Sequence, residues 1–298
     1  MDVSFLKEAM NEADFDVQLL DGYKLPPKNT DLHKGNNGTL FSVVGCKKYQ
    51  GAATLSLKSA LRGGCGIVVA FVPESIYIPL ASKVDSAIIC TCPENEQGMH
   101  LGKTMNILSL EMQSRIPNAI LAGNGMGVQY ATREIIEFVL QQQYPCVIDG
   151  DGLRYVSIDL LKSRDRGTVL TPHLGEFARM LCCDIATLSR NRLALSRKYA
   201  QDSGCVLVLK DAVTIISLPS GQQWILSCPN SGMAKGGSGD VLAGLIASFL
   251  AQGLLPDEAA KAGVWYHSLA GVRAKECRGE YAMLPEDLIE QLSNVIKS

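Results

Sequence analysis

The chain has 298 residues and a net charge of −2, because 28 lysines and arginines stand against 30 aspartates and glutamates. Hydrophobic residues make up 47% of the chain and charged residues 19%, a composition that excludes wholesale disorder and allows a large buried core. The balanced charge argues against a nucleic-acid partner, which normally needs a basic face. The length allows one large α/β domain or two ordinary domains.

The cysteine pattern and the N-terminal sequence indicate the cellular compartment of the protein. None of the ten cysteines forms a C-x-x-C pair, and several stand in apolar runs, where a thiol behaves as a small hydrophobic group. The first residues lack the basic start and apolar stretch of a signal peptide. The longest uncharged apolar run, 241–256, is interrupted by polar residues and is shorter than the ~20 residues of a membrane span. We therefore expect reduced cysteines and a cytoplasmic protein without a membrane partner.

The first 33 residues are polar and contain Pro26-Pro27, which predicts a lead-in segment made of a helix and an extended arm. A single domain is expected over 34–298, where the sequence shows no linker, repeat or low-complexity segment. Its first elements are a strand at 39–45, a helix at 52–62 and a strand at 66–72. At this spacing the three form a βαβ unit and hence a parallel pair of strands.

Strands and helices continue to alternate along the chain. Further strands are predicted at 87–90, 119–122, 146–149 and 168–171, and helices at 102–115, 131–142, 174–181 and 189–203. Short, closely linked strands follow at 205–210, 213–217 and 223–227, which favours partly antiparallel pairing, and helices at 240–251 and 257–275 close the chain. The predicted fold is α/β, a mostly parallel central sheet flanked by helices on both faces. Ligands of such sheets bind beyond the carboxyl ends of the strands.

The most informative segment is a glycine-rich turn, Gly236-Gly-Ser-Gly239, that leads directly into an apolar helix. Val241, Leu245 and Phe249 recur at helical spacing and would bury that helix against the sheet. Its first turn then has free backbone N–H groups that a phosphate can approach closely. Asp240 in this turn is either a helix N-cap or a general base beside a transferring phosphoryl group, and the spacing alone favours neither.

The segment Gly236-Gly-Ser-Gly-Asp-Val-Leu-Ala-Gly244 resembles the anion-hole and catalytic-Asp motif of the ribokinase-like superfamily. Other segments narrow the resemblance to the ADP/ATP-dependent NAD(P)H-hydrate dehydratases. They are Lys34-Gly-Asn-Asn-Gly38, Gly51-Ala-Ala53 with Ala60-Leu-Arg-Gly-Gly-Cys-Gly66, Ala122-Gly-Asn-Gly-Met-Gly127, Asp149-Gly-Asp-Gly-Leu153, Thr171-Pro-His-Leu-Gly-Glu176 and Leu209-Lys-Asp-Ala-Val-Thr214. Each segment is weak alone, but the set runs in order from about 34 to 292 and is specific.

The resemblance implies an enzyme that repairs NADH or NADPH whose nicotinamide ring has been hydrated (NADHX or NADPHX). ADP or ATP, with Mg²⁺, would phosphorylate the new hydroxyl, and loss of phosphate would restore the dihydronicotinamide. Asp240 would be the base, and the amides around Gly237 and Gly239 would stabilise the developing charge. The expected assembly is a homo-oligomer, with a tetramer as one candidate.

The same resemblance implies a role for each site residue. The hydrated dinucleotide would contact Ala52, Gly127, His173 and Asp240. The adenine nucleotide would contact Lys210, Asp211, Ala212, Val213, Thr214, Gly236, Gly237, Ser238 and Gly239. Glu176 would help to hold Mg²⁺ through water, since Mg²⁺ prefers oxygen ligands.

Simpler interpretations of some of these residues stay open. Ala52 could merely start a helix, Gly127 could merely form a turn, and Lys210 could be a solvated strand end. His267, in the middle of a predicted helix, is expected to be packed and hydrogen-bonded.

The chain departs from the common family pattern at three points. Gly123-Asn-Gly125 stands where Gly-Pro-Gly is common, Asp149-Gly-Asp-Gly-Leu153 where Asp-Ala-Asp-Ala-Leu is common, and Ala234-Lys-Gly-Gly237 where Ala-Thr-Gly-Gly is common. Lys235 would add positive charge beside the phosphate site. About 33 residues before the domain are too few for the epimerase domain that some relatives carry, which predicts a standalone dehydratase domain.

Two other functions remain open from the sequence. A small-molecule kinase of the same superfamily, of the thiazole or pyrimidine kinase type, would use the same aspartate and glycine-rich turn. The segment Thr171-Pro-His-Leu-Gly-Glu176 favours the dehydratase over that kinase. A nucleotide-sensing regulator without turnover would gain nothing from a carboxylate beside a phosphate. The sequence does not choose between ADP and ATP, or between NADHX and NADPHX.

Overall fold

The computed structural model describes residues 16–27 and 37–297. The predicted lead-in helix and most of the segment that begins at Lys34 lie outside the described residues. The described part of the arm contains a short strand, β1 (Val17–Leu19), which pairs in parallel with the edge of the main sheet. Within 16–27 and 37–297, no helix is both long enough and apolar enough to cross a bilayer.

The described strands form one sheet. After β1 they are β2 (Thr39–Val43), β3 (Ile67–Pro73), β4 (Ile88–Cys92), β5 (Ala119–Ala122), β6 (Cys146–Ile148), β7 (Thr168–Leu170), β8 (Val206–Leu209), β9 (Val213–Ser217) and β10 (Gln223–Ser227). The order across the sheet is β1-β10-β9-β8-β7-β6-β5-β2-β3-β4. Among the strands within 16–27 and 37–297, only β9 runs antiparallel to its neighbours, β8 and β10. The predicted mostly parallel α/β sheet, with antiparallel pairing near the C-terminal strands, is therefore confirmed.

Helices cover both faces of the sheet. They are α1 (Gln50–Arg62), α2 (Tyr77–Ala81), α3 (Thr104–Ser114), α4 (Tyr130–Gln141), α5 (Ile158–Lys162), α6 (Leu174–Met180), α7 (Ile185–Arg190), α8 (Arg192–Ser203), α9 (Ser238–Ala251), α10 (Pro256–Ala282) and α11 (Pro285–Val295). The helix predicted at 189–203 is wrong as a single element, because the chain breaks at Asn191 between α7 and α8. The prediction of two closing helices also missed α11, which starts afresh with Pro285 in its first turn.

Alternate residues of the strands build two apolar layers. In β2, Leu40 packs toward α1, α9 and α10 on one face, whereas Phe41 packs toward α3, α4, α6 and α8 on the other. Helix α9 is apolar around almost its whole circumference and is buried between the sheet, α1 and α10. A helix of this composition is stable only when it is enclosed. Its contacts with β5 and β6 bring its N-terminus to the carboxyl edge of the sheet.

Candidate active site

Four neighbouring parallel strands, β5 to β8, end side by side, and a polar residue follows each of them within two positions. Parallel strands that share an edge bring such residues together, although they are far apart along the chain. We call this group the edge cluster: Asn124, Asp149, Thr171 and Lys210.

Asp149 is the hub of the edge cluster. Its Oδ1 accepts hydrogen bonds from Thr171 Oγ1 at 2.7 Å and from Lys210 Nζ at 2.8 Å. Its Oδ2 accepts a hydrogen bond from Asn124 Nδ2 at 2.8 Å. Its side chain is only 4% exposed, and a carboxylate can be buried to this extent only when it is paired and hydrogen-bonded.

Lys210 is the cation of the edge cluster. Burial acts to lower the pKa of its ammonium, but the nearby Asp149 and Glu176 carboxylates outweigh burial and raise that pKa above its ordinary value. Lys210 is therefore a permanent positive charge at the edge of the sheet. The structure excludes the simpler interpretation of Lys210 as a solvated strand end.

The glycine-rich turn (236–239) starts helix α9. Gly237 is the N-cap, with φ of 107°, a left-handed conformation that favours glycine. A Cβ at this position would also lie 2.5 Å from Leu55 Cδ1. The turn is held from two sides, since Ser59 Oγ donates to the Val241 carbonyl at 2.5 Å and His267 Nε2 bonds the Ser238 carbonyl at 3.0 Å.

Burial sets the protonation state of the His267 ring, and its hydrogen bond to Ser238 sets which nitrogen carries the proton. Burial lowers the pKa of His267 to about 4, so the ring is neutral near pH 7 and donates through Nε2–H to the carbonyl oxygen. The expectation that His267 is packed and hydrogen-bonded is confirmed.

Asp240 is not the N-cap of α9, because Gly237 holds that position and Asp240 lies in the first turn of the helix. Its Oδ1 accepts a hydrogen bond from Asn124 Nδ2 at 2.7 Å. Burial, followed by the charge of Asp149, raises the pKa of Asp240 to about 6, although the Asn124 hydrogen bond and Lys210 act in the opposite direction. A carboxylate with this pKa can accept a proton near neutral pH, as a general base requires.

A cavity of about 960 Å³ opens beside Asp240 and the glycine-rich turn. Every predicted nucleotide-binding residue except Val213 lines this cavity, including Lys210, Asp211 and Thr214. Val213 is buried within β9. The lining also includes apolar side chains, among them Leu226, Met233, Leu242 and Val264. A cavity lined by both polar and apolar groups suits a ligand that has both an anionic group and an aromatic group.

The predicted dinucleotide-binding residues do not lie on one wall. His173 and Asp240 line the cavity, whereas Ala52 and Gly127 do not. Ala52 lies in the first turn of α1, next to Gly125. Gly127 donates its N–H to Asp151 Oδ2 at 2.8 Å and accepts from Thr132 Oγ1 at 2.8 Å, so both of its backbone polar groups serve the turn in which it lies.

His173 is exposed at the end of β7 and caps helix α6. Its Nδ1 accepts from the Gly175 N–H at 3.0 Å and from the Glu176 N–H at 3.3 Å. The Glu176 side chain accepts in return from the His173 N–H at 2.8 Å, which completes a capping box. Burial and then the positive charge of Lys210 lower the pKa of His173, consistent with the neutral ring that an accepting Nδ1 requires.

Glu176 and Lys235 are an acidic and a basic residue that both line the cavity. Within the described residues, no group of three or more His, Cys, Asp or Glu side chains could hold a metal ion. Glu176 lines the cavity, and burial, ahead of the Asp149 charge, raises the pKa of its carboxyl. Lys235 also lines the cavity, but its ammonium donates to the carbonyls of Tyr281 at 2.8 Å and Met283 at 2.5 Å, which tie the turn to the end of α10.

Sequence reasoning assigned no role to Asn124, Asp149 or Thr171. The signal for all three was present, because Asn124 closely follows a predicted strand and Asp149 and Thr171 end predicted strands, at the edge where ligands of parallel sheets bind. Their mutual contacts depend on the order of the strands, which a single sequence does not contain.

Comparison with known proteins shows which families and folds this chain is similar to. The family model of NAD(P)H-hydrate dehydratase matches residues 40–294. The bifunctional NAD(P)H-hydrate repair enzyme Nnr of Moorella thermoacetica is 37% identical over 278 residues, covering 92% of this chain and 52% of that enzyme. The chain thus spans about half the length of the curated relatives it matches.

Solved structures agree as well. The ADP/ATP-dependent NAD(P)H-hydrate dehydratase from Bacillus subtilis, co-crystallized with ATP/Mg2+, superposes with a TM-score of 0.81 at 27% identity, over 91% of this chain and 93% of that one. Arabidopsis thaliana ribokinase, complexed with ribose and ATP, superposes with a TM-score of 0.51 at 12% identity, over 86% of this chain and 98% of that one. The second likeness shows the ribokinase-like fold alone.

Proposed function

The chain belongs to the NAD(P)H-hydrate dehydratase family, and on that premise we propose that it restores hydrated NADH or NADPH at the expense of ADP or ATP. The observation that carries the proposal is Asp240, whose carboxylate has a pKa of about 6 and lines the cavity next to the glycine-rich turn at the N-terminus of α9. A protein that only bound a nucleotide would not need a proton acceptor there.

The proposed reaction begins when Asp240 takes the proton from the hydroxyl on the hydrated ring. The hydroxyl oxygen then bonds to the terminal phosphorus of ADP or ATP, and the bond from that phosphorus to the bridging oxygen breaks. In the second stage the ring carbon–oxygen bond breaks, phosphate leaves and a neighbouring carbon loses a proton, which restores the dihydronicotinamide. Overall, the hydrate and ATP give NAD(P)H, ADP and phosphate. When ADP is the phosphoryl donor, the products are NAD(P)H, AMP and phosphate.

Two groups of this chain support phosphoryl transfer. The amides of the glycine-rich turn stabilise negative charge on the transferring group, because they are fixed in place by the packing of α9. Lys210 holds its positive charge on the same side of the cavity. Together they favour a loose transition state whose charge is spread over the phosphoryl oxygens.

Magnesium belongs to the proposal as the partner of the nucleotide. Mg²⁺ is usually bound by substrate phosphates and one or two carboxylates, with water completing its shell. Glu176 fits this requirement, because its carboxylate lines the cavity and its side chain is 12% exposed. When bound, the ion would neutralise phosphate charge, and Glu176 would hold it through water.

The proposal also covers the setting of the enzyme. It describes a cytoplasmic homo-oligomer, with a tetramer as the assembly to test by light scattering, and it includes no nucleic-acid or membrane partner. The near-neutral net charge of −2 supports the part that concerns nucleic acid.

The test is an incubation of the purified chain with NADHX or NADPHX, ADP or ATP, and Mg²⁺, followed at the dihydronicotinamide absorbance band. We expect the absorbance to recover only when hydrate and nucleotide are both present. Phosphorylation of a thiazole or pyrimidine alcohol without any recovery of the absorbance would make the chain a small-molecule kinase. Nucleotide binding without turnover of either substrate would make it a regulator.

A further inference from the structure

We propose that Asn124 is the positioning residue for Asp240: its side-chain amide bridges the carboxylates of Asp149 and Asp240 and holds the base in place between the edge cluster and helix α9. The proposal deepens the proposed function and rests on it for the identity of the reaction. It concerns a residue that stands where the family commonly has proline, which offers no side-chain donor.

The geometry of the bridge is specific. Asn124 Nδ2 lies 2.8 Å from Asp149 Oδ2 and 2.7 Å from Asp240 Oδ1. A side-chain amide carries two N–H donors, so each carboxylate receives one. The reversed orientation would place the amide oxygen against both carboxylates, and those like partial charges would repel it.

Asn124 has no competing role that explains its orientation. The side chain is fully buried, and its Oδ1 has no hydrogen-bond partner within the described residues. Leaving a buried carbonyl oxygen unpartnered is unfavourable, which shows that the contacts on the Nδ2 side determine the orientation. Asn124 is also the one residue that donates a hydrogen bond to Asp240 in the part of the chain that the structure describes.

The bridge counteracts repulsion between two carboxylates. Asp240 is faced by charged groups from several elements. Burial is the largest cause of its raised pKa, Asp149 and Asp151 raise that pKa further, and Lys210 lowers it. The Asn124 hydrogen bond also lowers that pKa, because a hydrogen bond to the ionised carboxylate stabilises its charged form. Farther along the same cavity, His267 is neutral and the Lys235 ammonium is bonded to backbone carbonyls.

The experiment compares the pH dependence of kcat in the wild type, Asn124→Ala, Asn124→Asp and Thr171→Val. In Asn124→Ala we expect the acid limb of kcat to move up by about one pH unit, since a hydrogen bond to a charged group is lost. Asn124→Asp keeps the shape of the side chain but replaces the NH₂ group, which donates two hydrogen bonds, with an oxygen that only accepts them. We therefore expect a larger upward shift of the acid limb of kcat in this variant. KM for the adenine nucleotide should change little in either variant.

Thr171→Val is the matched control, because Thr171 donates to Asp149 at 2.7 Å but makes no hydrogen bond to Asp240. We expect its acid limb to stay at the wild-type pH. An unshifted limb in both Asn124 variants, or an equal shift in Thr171→Val, would overturn the proposal. A purely structural role of Asn124 would lower kcat equally at all pH values and would also count against it.

A second readout does not depend on turnover. Carboxyl resonances of ¹³C-aspartate-labelled protein are titrated by NMR, and Asp240→Asn assigns the signal of Asp240. The Asp240 signal should titrate at higher pH in Asn124→Ala than in the wild type. If the wild type fails to restore the hydrate, the proposed function fails, whereas this titration still confirms or overturns the bridge.

Discussion

The glycine-rich turn and the edge cluster meet at Asp240, but they are built in opposite ways. The turn is one continuous stretch whose useful groups are backbone amides, held by the packing of α9 against α1 and α10. The edge cluster takes one side chain from the end of each of four strands, and its useful groups are a carboxylate, an amide, a hydroxyl and an ammonium. Asp240 directly follows the first region in sequence, and its side chain accepts a hydrogen bond from Asn124 in the second.

This difference assigns separate tasks to the two regions. Backbone amides do not titrate, so the turn offers the same positive end to a phosphate at every physiological pH. After burial, three members of the edge cluster, Asp149, Asn124 and Lys210, have the largest effects on the pKa of Asp240. Changes in the turn should therefore act on nucleotide affinity, and changes around Asp240 on the rate and on its pH dependence.

The largest effect is expected for Asp240→Asn, which removes the base and keeps the shape of the side chain. Turnover should fall by roughly 10²- to 10⁴-fold, the usual contribution of a positioned general base. Calorimetric titration with ADP and ATP should show affinity close to that of the wild type, because the turn is unchanged. Near-normal turnover by the purified variant would contradict the role of Asp240 as the base.

The second prediction concerns Gly239, the turn residue that comes closest to the edge cluster. A Cβ at Gly239 would lie 3.0 Å from Lys210 Nζ, which is itself tied to Asp149. Gly239→Val should weaken nucleotide binding roughly 10- to 100-fold, as expected when hydrogen bonds to a charged group are lost. Gly239 has an ordinary helical backbone, whereas the left-handed conformation in this turn belongs to Gly237.

The matched variant for Gly239→Val is Gly236→Ala in the same turn. A Cβ at Gly236 meets nothing within 4 Å, so this variant should fold normally and lose less affinity than Gly239→Val. Equal affinities in the wild type and in a folded Gly239→Val protein would mean that the phosphate binds elsewhere.

Asp240 should also affect stability, with a definite sign. Its pKa rises from an ordinary 3.8 to about 6 in the folded chain, so folding favours the protonated form. Its contribution to stability is full below pH 3.8 and declines as the pH rises through 6. At pH 7.5, Asp240→Asn should therefore raise the free energy of unfolding by on the order of 1–3 kcal/mol, while removing the base.

Urea unfolding of Asp240→Asn and the wild type at pH 4.5 and pH 7.5 tests this sign. The stabilisation should be clear at pH 7.5 and small at pH 4.5. The same difference at both pH values would show that the substitution acts through packing rather than through the charge of Asp240.

The two regions also differ in how far the sequence predicted them. The turn was recognisable because Gly236 to Asp240 and the apolar helix after them are contiguous, so local rules apply. Strands β2 to β10 were predicted to within a few residues for the same reason, whereas β1 was predicted only as part of an extended arm. The bridge from Asn124 to Asp240 was not predicted, because it joins β5 to α9 and depends on which strands are neighbours. The cap made by His173 was missed because histidine is not among the usual N-cap residues.

The smallest effect is expected at His173, which has both a structural contact and a proposed contact with the hydrated dinucleotide. His173→Ala removes the Nδ1 acceptor that caps α6, and it should lower the free energy of unfolding by about 1 kcal/mol. His173→Asn keeps a good capping side chain but lacks the imidazole, so its stability should be close to that of the wild type. If the imidazole contacts the substrate, both variants should raise KM for the hydrate several-fold, because the loss of one neutral hydrogen bond costs about 1 kcal/mol.

Chemical unfolding measures the capping contribution of His173, and steady-state kinetics measure its contribution to substrate binding. A wild-type KM in His173→Asn would restrict His173 to its capping role, and loss of nucleotide affinity in both variants would place its ring on the phosphoryl-donor side, with Lys210.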